Sequence, residues 1–497
     1  MPARRTRRAL VAVALGFVAA LPAQPATASV PADSVGVYSE ELERANSPDH
    51  LAAAAAQRDA RIGLVRQQFS WARIETSPGH LDFSVYDDVL TAAATAGVSI
   101  LPVLMDPPAW RSTAPDSGRL RAMYPPRHVA DMASLATALV GRYGPGGRFW
   151  VAHPELAPMP VRSWQVWNEP NIPAFWATGP DPSAYVELLD ATGSAIRAAD
   201  PAAEIVAAGL PLADNGIPIG TFLNGMYAAG ARGTFDTLAI HPYASDALGV
   251  LQILWAARLQ LDRLGDPDRP IWATEFGWST DGPPVTITMS EAAQAATLRD
   301  AIGLMQRSRS ALRLRGFVVF RWRDVTLNPR QTDVWALHTG LVRADGSPKP
   351  ALAALRDAVA GWREEPAAGQ QIASEAALSA LTAPTPGAGT PPPSVAGVRR
   401  RALRIRRHVQ RGRLIVRVDV PPGGGNRRVR ISYEAVRNGR VIVRLARRVG
   451  SRGRVARAVF KLGPRARRAQ LLRMTAVQGG ARATRTLRMP APRTPIN

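Results

Sequence analysis

Ser163-Trp-Gln-Val-Trp-Asn-Glu-Pro-Asn171 is an apolar run that closes on an amide, a carboxyl and a proline. Pro270-Ile-Trp-Ala-Thr-Glu-Phe-Gly-Trp278 repeats that design further along. Both runs are apolar throughout rather than alternating, which suits strands covered on both faces, as in a parallel sheet. Similar runs occupy Gly63–Arg66, Ser99–Met105, Glu204–Gly209, Thr237–His241 and Gly316–Trp322, with a weaker one at Ser34–Tyr38.

Helix-period segments lie between them. Ser84-Val-Tyr-Asp87 reads as a capping box, and Gly97 as the stop of the helix it opens. His128–Tyr143, Pro182–Ala199 and Ser290–Ser308 follow the same logic. Eight strand-like runs alternating with helices over residues 33–362 predict a (β/α)8 barrel, an α/β fold. An open doubly wound sheet is the rival, but no Gly-rich phosphate loop follows the first strand.

Outward from this unit the composition changes. The chain has 497 residues, 46% of them hydrophobic, and no cysteine, so disulfides and cysteine-based metal or redox sites are excluded. Residues 1–28 read as a signal peptide: Arg4, Arg5, Arg7 and Arg8, an apolar run from Ala9 to Leu21, then Ala26-Thr27-Ala28. That run is short for a bilayer span, and an uncleaved anchor is the alternative. Thr6-Arg7-Arg8 weakly suggests twin-arginine export. The expected product is secreted or wall-associated, with no transmembrane segment.

Residues 363–397 read as a Pro/Ala-rich linker. Residues 398–490 switch to period two, with turns at Pro421–Gly425 and Asn438-Gly439, and predict a small β-sandwich. From Val395 onward 29 Lys+Arg stand against two acids, Asp419 and Glu434. That surplus of 27, with four more arginines in the signal, leaves the middle of the chain at −8 against a total of +23. This basic region has only Tyr433 and Phe460 as aromatics, too few for sugar or base stacking, so no nucleic acid is expected. An anionic cell-surface polymer fits as its partner; a solvated arginine-rich surface is the alternative.

In a (β/α)8 barrel the C-terminal strand ends build the active site, and Glu169 and Glu275 both fall there. Glycosidic cleavage needs two carboxyls in opposed proton states across one sugar. Glu275 is expected to be the ionised nucleophile, with Arg66 holding its charge and Tyr243 donating to it. Glu169 is expected to be the acid/base, raised by the charge on Glu275. Asn168 is a candidate for a sugar hydroxyl, and His241 for substrate binding or for placing its neighbours. Trp110, Trp176, Trp278 and Trp322 are candidate stacking faces. Two carboxyls and water suffice, so no metal or organic cofactor is called for.

The combination of Trp164-Gln-Val-Trp-Asn-Glu-Pro-Asn171, Phe175-Trp176, His241-Pro-Tyr243 and Thr274-Glu-Phe-Gly-Trp278 resembles the clan A glycoside hydrolases. Family 39 is the most similar, with family 5 next. The resemblance implies a retaining hydrolase on a (β/α)8 barrel. It gives Glu169 as acid/base and Glu275 as nucleophile, and Asn168, Arg66, Tyr243 and Trp322 as lining the sugar site. The histidine seen after strand three in many family 5 enzymes is replaced here by Asp106-Pro-Pro-Ala-Trp110. A catalytically silent glycan-binding barrel, or a transglycosylase of the same mechanism, are the alternative readings.

Overall fold

The structure, a computed structural model, describes residues 31–374 except 41–49, 116–120, 214, 329–330 and 363–369, together with seven strands between Arg404 and Arg488. The signal-like start and most of the predicted linker lie outside the described residues. The chain divides into two compact units, Met1–Ala383 and Pro384–Asn497.

The first unit is a (β/α)8 barrel. Its parallel strands are β1 (Val35–Tyr38), β2 (Leu64–Ser70), β3 (Ser99–Met105), β4 (Ser163–Val166), β5 (Glu204–Val206), β6 (Leu238–His241), β7 (Ile271–Phe276) and β8 (Leu314–Val319). They pair in sequence order, and β8 pairs back onto β1, with Val35 opposite Phe317. The ring closes through β5. Its neighbour Leu210–Pro211 pairs with β6, Leu210 opposite Ile240, and Val206 bridges Thr237.

Two layers of side chains follow from the alternation of each strand. Val35, Val37, Val65, Phe317 and Val319 join the core beneath the helices. Leu64, Leu101, Val206, Ala239, Trp272 and Val318 form a separate cluster. They lie on the other face of the same strands, so they fill the barrel interior. Alternation then sends Tyr38, Arg66, Gln165 and His241 inward above them.

Strand β7 breaks the alternation. Between Ala273 and Phe276 it takes three steps while β8 takes two, from Phe317 to Val319. This bulge has one residue more than its partner, and such a residue re-aims the side chains beyond it. Trp272 therefore sits in the interior, and Glu275, three residues on rather than two, also faces inward.

Helix ends match the expectations in part: Val129–Tyr143 starts without a side-chain cap from His128, and the helix expected to end at Ser308 runs on to Leu312. Pro182–Ala199 is capped by Asp181, Glu291–Leu312 by Ser290, and Gly97 ends Ser84–Ala96 in the left-handed region at φ 72°. The capping box at Ser84 does not form. Asp82 Oδ1 accepts from Ser84 N instead, and Asp87 is drawn away to Arg142 and Tyr143.

The second unit is all-β. Strands β9 (Arg404–Gln410), β10 (Arg413–Asp419), β11 (Arg428–Arg437), β12 (Arg440–Arg452), β13 (Val455–Lys461), β14 (Leu471–Gln478) and β15 (Ala481–Arg488) are antiparallel. Their order is β9-β10-β13-β12-β11-β14-β15. The long β12 pairs with β11 along most of its length and with β13 at its end, so it joins two ladders. The edge strands β9 and β15 lie in contact, so the sheet folds over on itself.

Candidate active site

Arg66 is the organising group of the barrel mouth. It lies in the middle of β2, not at its end as the apolar run suggested, because Gln67 and Gln68 continue the strand although they are polar. It is 1% exposed. Its Nη1 donates to Glu275 Oε1 at 2.5 Å, its Nη2 to Asn168 Oδ1 at 2.7 Å and its Nε to Gln165 Oε1 at 2.7 Å. A planar fork with fixed donors thus ties β2 to β4 and β7.

Glu275 also accepts from Tyr243 Oη at 2.9 Å on Oε2. Burial acts to raise its pKa, but His241, Arg66 and Tyr243 outweigh burial and hold the carboxyl below its ordinary value. Burial and the adjacent carboxylates push the Tyr243 hydroxyl well up, so it remains a donor.

Glu169 has a different setting. Among the described residues its carboxyl has one hydrogen-bond partner, His241, whose Nδ1 lies 2.7 Å from Glu169 Oε1 and 3.6 Å from Glu275 Oε2. His241 Nε2 is buried and without a partner. Burial pushes the Glu169 carboxyl above its ordinary value; the Glu275 charge adds to this, against the pull of His241 and Arg66. One donor atom from each of Glu169, His241 and Glu275 lies within 4.8 Å of the others. Such a trio could converge on a cation, but Arg66 already supplies positive charge to Glu275.

The backbone delivers Glu169 under strain. Trp167 and Glu169 have φ of 71° and 46°, a region that side chains other than glycine rarely adopt. Neighbouring backbone holds them there: Trp167 N donates to Leu104 O on β3, and Glu169 N to Gly209 O in the segment after β5. Gly209 also lies under the His241 ring. A Cβ added there would stand 1.9 Å from Nε2.

Four expected aromatics divide differently. Trp110 is exposed, at 41%, near the Glu75 carboxylate in the loops over the mouth. Trp176 is no stacking face: it is buried edge-on against Trp167 and Tyr185. Trp278 is buried with its Nε1 donating to Ala244 O, which pins two loops together. Trp322 is buried and lines a cavity of about 400 Å3 with Ala53, Val342 and Leu352, on the helix side of the ring. The strand expected at 316–322 ends at Val319, so Trp322 lies beyond the mouth. Phe320 holds the mouth position after β8, 5.0 Å from the Tyr38 ring and 6.3 Å from the Tyr243 ring. Trp335 joins it, 5.2 Å from Tyr243.

Tyr38, Gln165, Phe320 and Trp335 were missed by sequence reasoning. Strict inward alternation on β1 and β4 would have found the first two. Trp335 opens a four-residue 3-10 helix, Trp335–His338, too short to leave a periodic signal. Asp106 and Asp324, also at strand ends, are engaged by other partners. Asp106 accepts from Ser70 Oγ at 2.5 Å, and Asp324 is held by buried Lys349 at 2.6 Å and by Gly340 N. Glu75 belongs to its turn, accepting from Gly79 N, Trp71 Nε1 and Arg111.

No protein-family model matches the chain, and no curated protein matches it. Solved structures of similar fold exist. A glucosidase from Croceicoccus marinus is 14% identical, with a TM-score of 0.50 over 88% of this chain and 94% of that one. GH5_18 from Bifidobacterium longum subsp. longum, in complex with Manb1-4GlcNAc, is 13% identical, with a TM-score of 0.50 over 67% of this chain and 78% of that one. An exo-β-1,4-mannosidase from Opitutaceae bacterium strain TAV5 is 18% identical, with a TM-score of 0.48 over 66% of this chain, which spans 59% of that protein. At these identities the first two likenesses speak for the barrel fold alone.

Proposed function

We propose that the protein is a retaining glycoside hydrolase that cleaves β-configured O-glycosidic bonds in an oligo- or polysaccharide. The observation that carries this reading is the approach of the Glu169 and Glu275 carboxyl oxygens to within 4.8 Å, with pKa values shifted in opposite directions. Inverting enzymes need about 6.5–9.5 Å to admit a water, whereas a direct nucleophile needs only about 5–5.5 Å.

Glu275 attacks the anomeric carbon while Glu169 gives its proton to the departing oxygen. His241 Nδ1–H occupies Glu169 Oε1, which leaves Oε2 to carry that proton toward the sugar. The C–O bond to the leaving group breaks as the ester to Glu275 forms. Esterification removes the Glu275 charge, so Glu169, now deprotonated, can take a proton from water. Water then displaces Glu275 and restores the starting configuration. Asn168, oriented by Arg66 through its Oδ1, keeps its amide N–H groups for a sugar hydroxyl. Tyr38, Phe320 and Trp335 offer apolar faces around the ring.

The motif resemblance to clan A supports this reading, with family 39 or family 5 as the affiliation. The glucosidase of similar fold agrees with it in reaction class. We also place the protein outside the cytoplasm, on the strength of its Arg-rich start, apolar run and Ala-Thr-Ala site. N-terminal sequencing of exported protein should begin just after Ala28.

The test is hydrolysis of aryl β-glycosides and defined polysaccharides by the wild type and by Glu275→Gln, with the first-formed anomer read by NMR. Retained configuration in the wild type and near-background turnover in the variant are expected. An inverted product, or equal background rates on every substrate, would overturn the assignment.

A further inference from the structure

The barrel mouth holds an ion pair that the reaction above does not use. Glu40 follows β1 and Arg321 follows β8, and these two strands are neighbours. Arg321 Nη2 lies 2.7 Å from Glu40 Oε1. The Tyr38 hydroxyl donates to the same oxygen at 3.0 Å. The arginine side chain is 5% exposed and the glutamate side chain 40%. One member of the pair is thus sealed in the wall while the other is open.

The local backbone explains why Glu40 faces the mouth. Pairing continues past the end of β1: Ser39 N donates to Arg66 O, and Trp322 N to Tyr38 O. Ser39 Oγ accepts from Gln57 Nε2, a buried side chain of the helix His50–Asp59, so Ser39 turns toward the helix layer. Alternation then puts Tyr38 and Glu40 on the inner side. Tyr38 packs against the cluster that fills the barrel interior.

The pair also connects to the nucleophile through packed groups. Arg321 Cζ lies 5.6 Å from the centre of the Tyr38 ring and 5.4 Å from that of Phe320. Arg66 Cζ lies 6.0 Å from the Tyr38 ring, and its fork holds Glu275. Phe320 leads back to Glu275 through Tyr243. An unbroken ring of contacts therefore runs from Glu275 to Glu40 and back.

A buried guanidinium needs an anion, and Glu40 supplies it. That role occupies Oε1. Among the described residues Oε2 has no hydrogen-bond partner, although an ionised carboxylate accepts on both oxygens. A sugar with its anomeric carbon at Glu275 and its ring against Tyr38 and Phe320 turns its remaining hydroxyls to this wall. Resting on the glycoside hydrolase reading, we propose that Glu40 is a specificity-determining residue: it accepts from a sugar hydroxyl remote from the anomeric carbon, and the site takes a neutral sugar. A charged acceptor makes that bond stronger than an amide would. A uronate carboxyl placed there would instead face the negative charge of Glu40.

The test is a cycle of variant against substrate. The probes are dinitrophenyl β-glycosides of glucose, galactose, mannose and xylose. For the sugar turned over fastest, analogues lacking the hydroxyl at carbon three, four or, where it exists, six are added, with the corresponding uronide. In the wild type, loss of one of these hydroxyls should lower kcat/KM by about thirtyfold, and in Glu40→Gln by about threefold at most. The uronide should be turned over about tenfold more slowly than its neutral parent, or worse. Equal losses in wild type and variant for every analogue would show that Glu40 only neutralises Arg321, and would overturn the proposal. A wild-type preference for the uronide would do the same. If Glu40→Gln fails to fold, the double variant Glu40→Gln, Arg321→Met removes both charges and carries the same comparison. If the wild type turns over no glycoside, it is the hydrolase reading that fails, and the same ratios are read from the dissociation constants of the free sugars by calorimetry.

Discussion

The two walls of the barrel mouth treat the same functional group in opposite ways. On the β7 side Glu275 receives a guanidinium and a phenol, with a ring N–H further off, and its carboxyl is held below its ordinary value. On the β4 side Glu169 receives one histidine, and burial pushes it up. Both side chains are about equally buried, at 8% exposure each. Burial alone therefore does not set a carboxyl's state; the number and charge of its donors do.

The largest effect should come from erasing the β7 side. Glu275→Ala should lower kcat/KM on aryl β-glycosides by about 10^4-fold or more. Added azide, entering the space vacated by the carboxyl, should restore turnover and yield the glycosyl azide of opposite anomeric configuration. Glu169→Ala should cost about 10^2 to 10^4-fold, most for poor leaving groups, and azide should there give the retained configuration. The same configuration from both variants would break the assignment of roles.

The donors can then be removed one at a time. Arg66→Met should destabilise the fold by about 3 kcal/mol, because Glu275 is left charged, buried and short of its main partner. The sign follows from the direction of the shift. A carboxyl held low contributes stability above its unfolded value, and that contribution is lost as pH falls through the folded one. In the variant the acidic limb of kcat/KM should move to higher pH. The alkaline limb, which reports Glu169 losing its proton, should move less. Tyr243→Phe should act in the same direction but less, costing about 1–2 kcal/mol in transition-state stabilisation. Equal movement of both limbs in either variant would show that the two walls are one electrostatic unit. Glu75→Gln, outside the pair, should lower thermal stability by about 1–2 kcal/mol through lost bonds to Arg111 and Trp71 and shift neither limb.

Much of the barrel was legible because buried parallel strands are written as apolar runs. The exceptions have physical causes. β2 continues through Gln67 and Gln68 because a strand's pairing is made by backbone, which carries no hydropathy. β5 stops at Val206 and its partner segment resumes at Leu210, so a run read as one strand is two. Glu169, Glu275 and Tyr243 could be proposed from chain order because they sit at or just past strand ends, whereas Arg66, in the middle of β2, is reached from an apolar run that ends before its strand does. The assignment of Trp322 failed for a local reason: the inward alternation past Val318 reaches Phe320, and the larger aromatic two residues on turns to the helix layer. The bulge in β7 has no sequence signature at all, yet it directs Glu275 inward.

Position 209 has a consequence for how this protein tolerates change. No atom of Gly209 takes part in bond making, and the residue carries no charge. Even so, the smallest addition, a methyl group, would meet the imidazole that seats the general acid. A saturation library scored for turnover should therefore show a dead position there, with every replacement silent in activity although soluble protein accumulates. It would look like a catalytic residue in such a map while supplying only a backbone carbonyl to Glu169 N and the empty space the imidazole requires.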